Sequence, residues 1–273
     1  MVYNLYKERG ETPLECIERF RDKNPELKKE KMSYLGRLDP LAEGVLVVAN
    51  GSHTKKRDEF LALDKEYEFA CIFGFATDTY DVMGKILKIK KVDDINELDL
   101  IRICHLYEGE REQEYPLYSS KTISSILAAR KSSSSESPRI SSLRSARLSS
   151  EDFSSQQNKM SGVKKIKIYK MHFGGLQILS GKELFGRILM DIGRVKGDFR
   201  QAEILNLWKD HIMSRTFFDT RYFLARFSAI VSSGTYIRGI VNDIGNTLGS
   251  GATTLSIKRT RVGDYKIKDS VKF

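Results

Sequence analysis

The segment at residues 36–46, GRLDPLAEGVL, constrains this chain more than any other. It places one carboxylate, Asp39, between a glycine and a proline, directly before the apolar run at residues 45–48. Glycine permits a tight turn and proline fixes the backbone, and loops held on a rigid scaffold commonly carry functional side chains. We therefore predict that Asp39 is presented beside a buried strand for chemistry and not for packing.

The charge of the chain indicates a polyanionic partner. The 273 residues include 46 Lys and Arg against 36 Asp and Glu, which gives a formal net charge of +10. Such an excess commonly meets nucleic acid or an anionic membrane surface. A basic surface that serves only solubility is the alternative. We favour the polyanion because aromatic residues, at 10%, accompany the charge.

Neither a membrane span nor a metal site is indicated. No apolar run approaches the length of a transmembrane helix, and the N-terminus lacks the apolar stretch of a signal peptide. The three cysteines, Cys16, Cys71 and Cys104, lie far apart, and the four histidines are equally scattered. We therefore predict no disulfide framework and no metal, in a reduced cytoplasmic setting.

Capping signals and apolar spacing predict the helices. Thr12-Pro13-Leu14-Glu15 is a capping box with proline at the first helical position. Further helices are predicted from Thr54 to about residue 63, over residues 95–107, after capping-box-like segments at 180–183 and 198–201, and from about 236 to a stop at Gly249.

Alternating apolar residues predict the strands. Residues 67–73, 166–168 and 223–231 fit this pattern, and the continuous apolar run at 45–49 predicts a buried strand. Residues 86–90 are interpreted as the hairpin partner of the 67–73 strand. Hairpin-like neighbours with helices between them indicate an α+β fold with a mixed or antiparallel sheet and helices on one side.

One region breaks the pattern. Residues 124–161 are rich in Ser, Arg and Lys, and they contain too few apolar residues to form a core alone. A basic flap that folds onto a polyanion and a flexible insertion without a role explain this composition equally well.

Two further segments carry residues that could act with Asp39. They are Lys65-Glu66-Tyr67 with GFATDTYDVMG at residues 74–84, and GTYIR at residues 234–238 followed by GSGA at 249–252 and KRTRVG at 258–263. Arg238 falls in the first turn of a predicted helix, where the helix dipole disfavours a cation, so we expect a specific anion to hold it. Taken alone, each segment is also explained by an ordinary turn, cap or surface arginine.

Together, and in this order, the segments resemble the pseudouridine synthases of the TruB family, which make pseudouridine in the T arm of transfer RNA. PLYSSK at residues 116–121 also resembles a family element. The resemblance covers roughly residues 1–122 and 163–265. It implies the pseudouridine synthase fold, which is α+β with an extended mixed or antiparallel sheet, flanking helices and an RNA-binding cleft.

By this resemblance Asp39 is the catalytic nucleophile. The reaction detaches uracil from C1′ of its ribose, rotates it and rejoins it through C5, without a cofactor. Arg238 pairs with Asp39, keeps it ionised and aims it. Tyr67 stacks on the extracted uracil and is a candidate acceptor of the C5 proton, with core packing as the alternative. Whether Asp39 attacks the base, attacks the sugar or removes a sugar proton stays open.

The resemblance also implies residues that bind the substrate. Lys55 matches a position near the RNA, with an ordinary surface lysine as the alternative. Tyr34 stands where the family commonly has a histidine, and an aromatic ring there can still stack within RNA. The implied substrate-binding residues are Tyr34, Lys55, Lys121, Tyr236 and Ile257.

Two departures from the family concern how RNA is held. The Ser-rich basic run at about 123–162 stands where the RNA-gripping insertion of the family falls, and the chain ends at Phe273. We therefore predict one catalytic domain over residues 1–265 with that insertion, a short tail at 266–273, and no C-terminal PUA-like RNA-binding domain.

These observations predict a cytoplasmic, monomeric isomerase that converts the uridine at position 55, in the T arm of tRNA, to pseudouridine. It binds no DNA and no membrane. The alternative is a catalytically weak or inactive tRNA-binding or RNA-folding protein of the same fold. A guide-RNA-dependent synthase of the archaeal and eukaryotic kind is a further alternative. An ion pair between Asp39 and Arg238 in a structure favours the enzyme.

Overall fold

A computed structural model describes residues 1–115, 163–214 and 220–273 of the protein. The helices in these ranges are α1 Pro13–Lys23, α2 Arg57–Ala62, α3 Glu97–Tyr107, α4 Gly181–Arg194, α5 Gln201–Ile212 and α6 Ile237–Thr247. The strands are β1 Val2–Lys7, β2 Met32–Tyr34, β3 Ala42–Asn50, β4 Lys65–Phe73, β5 Phe75–Thr77, β6 Ile86–Ile89, β7 Gly109–Glu114, β8 Val163–Ser180, β9 Arg221–Val231, β10 Ala252–Val262 and β11 Tyr265–Lys266.

Within the described ranges, nine of the strands form one sheet in the order β1-β3-β10-β4-β9-β8-β7, with β2 beside β3 and β11 beside β10. Neighbouring strands are antiparallel, except that β3 and β10 run parallel. The predicted α+β class with a mixed sheet is confirmed. Because β10 lies between β3 and β4, it joins the strand after Asp39 to the strand that carries Tyr67.

The helices cover both faces of the sheet, so the prediction that they lie on one side is wrong. On one face, α3 and α6 pack against the odd-numbered side chains of β4, including Phe69 and Cys71. On the other face, α4 and α5 pack against Ala70 and Ile72. These even-numbered residues of β4 are also apolar, and burying them requires a second helical layer.

The hairpin prediction for residues 86–90 is also wrong in its partner. Strand β6 pairs with β5 and not with β4. Strand β4 has no edge left for it, because β10 and β9 occupy its two sides. Gly74 lies between β4 and β5 with φ +97°, a backbone conformation that favours glycine, and it turns the chain out of the sheet.

Two of the four predicted helix caps are present. Thr12 and Ser180 both form complete capping boxes. Asp198 does not cap α5, because its carboxylate accepts a hydrogen bond from the backbone N–H of Arg200, a left-handed residue that itself precedes the helix. Thr54 does not cap α2, since its hydroxyl bonds within the short 3-10 turn before that helix.

Gly44 lies where β3 and β10 approach most closely. Its φ is +106°, and a Cβ at this position would lie 2.3 Å from the carbonyl oxygen of Arg259. We expect Gly44→Ala to lower the free energy of unfolding by about 3 kcal/mol, because it combines backbone strain with overpacking. Urea unfolding measures this. Gly186→Ala is the control, because Gly186 lies in α4 with open space around it and should gain about 0.5–1 kcal/mol. Equal effects of the two substitutions would contradict the prediction.

Candidate active site

A cavity of about 670 Å³ opens beside the loop that carries Asp39. Its walls come from the β2–β3 loop, α2, β4, β10 and the first turn of α6, so segments far apart in sequence meet here. The lining residues used below are Tyr34, Arg37, Asp39, Arg57, Lys65, Tyr67, Lys164, Tyr236, Arg238, Ile257 and Arg259.

Asp39 and Arg238 form an ion pair at this cavity. Arg238 Nε donates to Asp39 Oδ2 at 2.9 Å, and Arg238 Nη1 donates to the backbone carbonyl of Thr79. The arginine side chain is 6% exposed, whereas the aspartate side chain is 38% exposed. The cation is therefore fixed inside the protein, while its carboxylate partner remains open to a ligand.

Asp81 is a second carboxylate on Arg238. Its Oδ2 lies 3.7 Å from Arg238 Nε, and its Oδ1 accepts hydrogen bonds from the Thr79 hydroxyl at 2.6 Å and from the Met83 N–H at 3.0 Å. Burial raises the pKa of Asp81, although Arg238 acts in the opposite direction. Burial alone lowers the pKa of Arg238, but the two carboxylates outweigh it and raise that pKa. Arg238 thus stays charged.

Two buried cations hold the loop around Asp39. Arg259 is 2% exposed and donates from Nε to the carbonyl of Val45 at 2.8 Å and from Nη1 to that of Arg37 at 3.2 Å. On the other side, the Lys7 Nζ donates to the carbonyls of Ala42 at 2.6 Å and Pro40 at 3.2 Å. Charge-assisted hydrogen bonds of this kind fix the backbone on both sides of the carboxylate.

The aromatic side chains of the cavity are also held in place. Tyr67 is 8% exposed on β4, in the same apolar cluster as Ile257. Tyr236 precedes α6, and its backbone makes two hydrogen bonds with the side-chain amide of Gln113: the carbonyl accepts at 2.9 Å and the N–H donates at 2.8 Å. A planar base that enters the cavity therefore meets preorganised apolar and aromatic walls.

The cavity lining is strongly cationic. Among the lining residues, Arg37, Arg57, Lys65 and Lys164 accompany the two arginines already described, against the single carboxylate of Asp39. Lys65 is 6% exposed, and its Nζ donates to the carbonyl of Leu61 at 2.7 Å. An excess of cations around one acid suits a substrate with several phosphates.

The pH dependence of stability reports on Lys65. Burial, reinforced by Arg259 and opposed by Asp64, lowers the pKa of Lys65 to about 8. An unfolded lysine keeps its proton to about pH 10. Between these values the unfolded state binds more protons, so this group raises the free energy of unfolding by at most about 1.4 kcal/mol per pH unit.

We therefore expect the free energy of unfolding of the wild type, minus that of Lys65→Met, to increase as the pH rises from 8 to 10. Urea unfolding at each pH measures the difference, in which residues that titrate alike in both proteins cancel. A difference that stays constant over this range would show that Lys65 titrates normally.

The structure brings six of the eight predicted site residues together. Lys55 is not among the residues that line the cavity and lies exposed on the 3-10 turn Gly51–Lys56. Lys121 and the rest of PLYSSK lie outside the described residues, as does the Ser-rich insertion. The six residues that line the cavity are Tyr34, Asp39, Tyr67, Tyr236, Arg238 and Ile257.

Four supporting residues escaped the sequence analysis. Asp81 stood in a quoted motif, and its position directly before the apolar Val82 was the available signal. Arg259 also stood in a quoted segment, KRTRVG at residues 258–263, but a basic run does not indicate which of its cations is buried. Lys7 and Gln113 carried no signal beyond a polar residue in a strand.

Neither a metal site nor a membrane span is found in the residues described. No group of three or more His, Cys, Asp or Glu side chains in residues 1–115, 163–214 and 220–273 is arranged to hold a metal ion. In the same ranges, every helix is too short or too polar to cross a membrane.

Comparisons with known proteins identify the family of the chain. The sequence model of a family described as TruB family pseudouridylate synthase (N terminal domain) matches residues 24–165. The tRNA pseudouridine synthase B of Clostridium tetani is 27% identical over 270 residues, covering 99% of this chain and 70% of that protein. The enzyme of the same name from Clostridium kluyveri is 26% identical, with the same coverage.

A solved structure shows the same fold. The crystal structure of a Cbf5–Nop10–Gar1 complex contains a chain that aligns with a TM-score of 0.51 at 22% identity, covering 97% of this chain and 49% of that one. This alignment shows that the two chains share a fold. The chain belongs to the TruB family of pseudouridylate synthases, since the family model matches more than half of the chain's residues.

Proposed function

We propose that the protein isomerises uridine to pseudouridine in tRNA, at position 55 in the T arm. The observation that carries this proposal is the Asp39–Arg238 ion pair at a cationic cavity. The related tRNA pseudouridine synthases B support the choice of tRNA as the substrate. We keep the T arm, which the family resemblance implies, together with a monomeric state and the cytoplasm as parts of this proposal.

In this reaction the bond between C1′ and N1 of the uridine breaks and a bond between C1′ and C5 forms. N1 gains a proton and C5 loses one, so no reagent is consumed. Arg238 holds Asp39 in a fixed orientation, and Asp39 acts as the nucleophile that forms and releases a covalent bond. Because Arg238 is buried and fixed by Thr79 and Asp81, the carboxylate is positioned before the substrate arrives.

The target base must leave its stack to reach Asp39. Extraction costs roughly a few kcal/mol, which stacking on aromatic side chains and contacts between phosphates and cations can offset. Tyr67 and Tyr236 supply the aromatic walls, with Ile257 as an apolar one. Arg37 and Arg57 lie on the same cavity and supply phosphate contacts.

Tyr67→Phe separates stacking from proton transfer. The variant keeps the ring but loses the hydroxyl, so we expect tRNA binding to change by less than about twofold. We expect kcat to fall by about 10²-fold, because general acid–base groups contribute roughly 10²–10⁴-fold. Steady-state kinetics of pseudouridine formation measure both quantities. A rise in KM with unchanged kcat would show that the hydroxyl serves binding alone.

The proposed function is tested with unmodified tRNA. Nucleoside analysis after incubation should show pseudouridine in a transcript with uridine at position 55, and none in a matched transcript with cytidine there. Pseudouridine in both transcripts would reject the proposed position. If tRNA binds but no product forms in either, the alternative of an RNA-binding protein of this fold is correct.

A further inference from the structure

A second cavity, of about 230 Å³, lies on the opposite face of the sheet from Tyr67. Its floor includes Ala70 of β4, and its walls include Arg9, Arg187 and Arg226 together with Asp191. We call this group of three arginines and one aspartate the arginine pocket. None of these residues takes part in the isomerisation described above.

One N–H donor of Arg9 is buried and has no acceptor among the residues that the structure describes. Its Nη2 donates to Asp191 Oδ2 at 2.8 Å and to the backbone carbonyl of Leu255 at 2.5 Å. Its Nε is buried and makes no hydrogen bond to any described residue. Leaving such a donor unmet costs about 1–3 kcal/mol.

The arginines come from three separate elements. Arg9 follows β1, Arg187 lies on α4, and Arg226 lies on β9. Arg226 Nη2 also donates to Gln177 Oε1 at 2.7 Å, which leaves the rest of its guanidinium for another acceptor. Folding thus gathers three cations around one cavity.

Asp191 does not cancel this charge. It is one carboxylate against three guanidiniums, and burial raises its pKa, although Arg9 and Arg194 oppose that shift. Glu43 also repels its negative charge. The arginine pocket therefore keeps an excess of positive charge that a ligand can neutralise.

The backbone leaves room for a ligand. The register between β10 and β4 shifts between Thr254 and Ser256, which makes Leu255 the extra residue and turns its carbonyl toward Arg9. Ala70 opposes Ser256, and its small side chain leaves the floor open. A space of this size accepts a phosphate group but not a folded peptide segment.

We propose that the arginine pocket binds a phosphate group. Guanidinium forks match phosphate oxygens, and a tetrahedral group can meet cations from three directions, whereas a carboxylate presents two oxygens in one plane. The phosphate comes either from the backbone of an RNA or from a free phosphate. This proposal does not depend on the isomerase activity.

Titration with inorganic phosphate, followed by ³¹P NMR, tests the proposal. The wild type should bind phosphate at the arginine pocket, and Arg187→Gln with Arg226→Gln should weaken this binding at least tenfold. Lys182→Gln with Arg221→Gln is the matched control, because it removes two exposed cations from the same helix and strand outside the cavity. Absence of phosphate binding by the wild type, or equal binding by all three proteins, overturns the proposal.

The affinity for tRNA separates the two sources. If the arginine pocket holds a phosphate of RNA, Arg187→Gln with Arg226→Gln should weaken tRNA binding at least threefold more than the control pair does. Inorganic phosphate should then compete with tRNA. If the pocket holds a free phosphate, Arg187→Gln with Arg226→Gln should lose phosphate binding while its affinity for tRNA stays unchanged. If neither affinity differs between the double pocket variant and the wild type, the arginine pocket binds no phosphate.

Discussion

Asp39→Asn should abolish pseudouridine formation, with the single-turnover rate falling by at least about 10⁴-fold. An amide cannot replace a carboxylate as the nucleophile, and losses of this size follow removal of a group that forms the covalent bond. The amide oxygen can still accept the hydrogen bond from Arg238, and Asp81 remains beside that arginine. Nucleoside analysis of tRNA under enzyme excess measures the rate.

We expect the loss of activity in Asp39→Asn to come from the missing nucleophile and not from a change in fold or tRNA binding. Asp39 is partly exposed, so we expect the free energy of unfolding of Asp39→Asn to stay within about 1 kcal/mol of the wild type and tRNA affinity to stay within about threefold. Asp58→Asn is the matched control, since it removes an exposed carboxylate of α2 that does not line the cavity. Activity of Asp39→Asn within tenfold of the wild type would remove Asp39 from the mechanism.

Arg238→Met should cost both stability and activity. It leaves the carboxylate of Asp81 buried without its cation, which destabilises proteins by about 3–5 kcal/mol. It also releases Asp39 from its fixed orientation, so we expect activity to fall by at least about 10³-fold. Urea unfolding and single-turnover kinetics measure the two effects.

A second substitution separates these effects. Adding Asp81→Asn to Arg238→Met removes the uncompensated charge, so most of the lost stability should return while activity stays low. Arg238→Lys keeps a cation without the fork that reaches both Asp39 and Thr79, and it should retain more stability than Arg238→Met. Recovery of activity in the double variant would show that Arg238 serves only the fold.

The meeting of Asp39 and Arg238 was predictable because both residues sit at sharp local signals. Asp39 lies between glycine and proline, and Arg238 occupies a helix start that repels a cation unless an anion holds it. The observed 2.9 Å pair satisfies that expectation. Tyr67 was predictable from strand alternation together with the family resemblance, since alternation alone fits a core residue as well.

The roles of Lys7 and Arg259 were not predictable, because the backbone carbonyls that they hold around Asp39 are distant from them in sequence. Arg259 reaches the carbonyls of Gly36 and Val45, and a basic run gives no hint of such contacts. The partner of β6 was missed for a related reason: local alternation identifies a strand but not which edges of β4 remain open. The second helical layer covers Ala70 and Ile72. Their apolar character was visible in the sequence, and it requires that this face of β4 is also buried, but the prediction placed helices on one face only.

The most direct test of the account uses tRNA that carries tritium at C5 of its uridines. Rejoining the base through C5 must expel the hydrogen at that carbon, so the wild type should release one tritium to water for each pseudouridine formed, whereas Asp39→Asn should release none. Binding of the labelled tRNA by the wild-type protein without tritium release would contradict the claim that this cavity rearranges uridine.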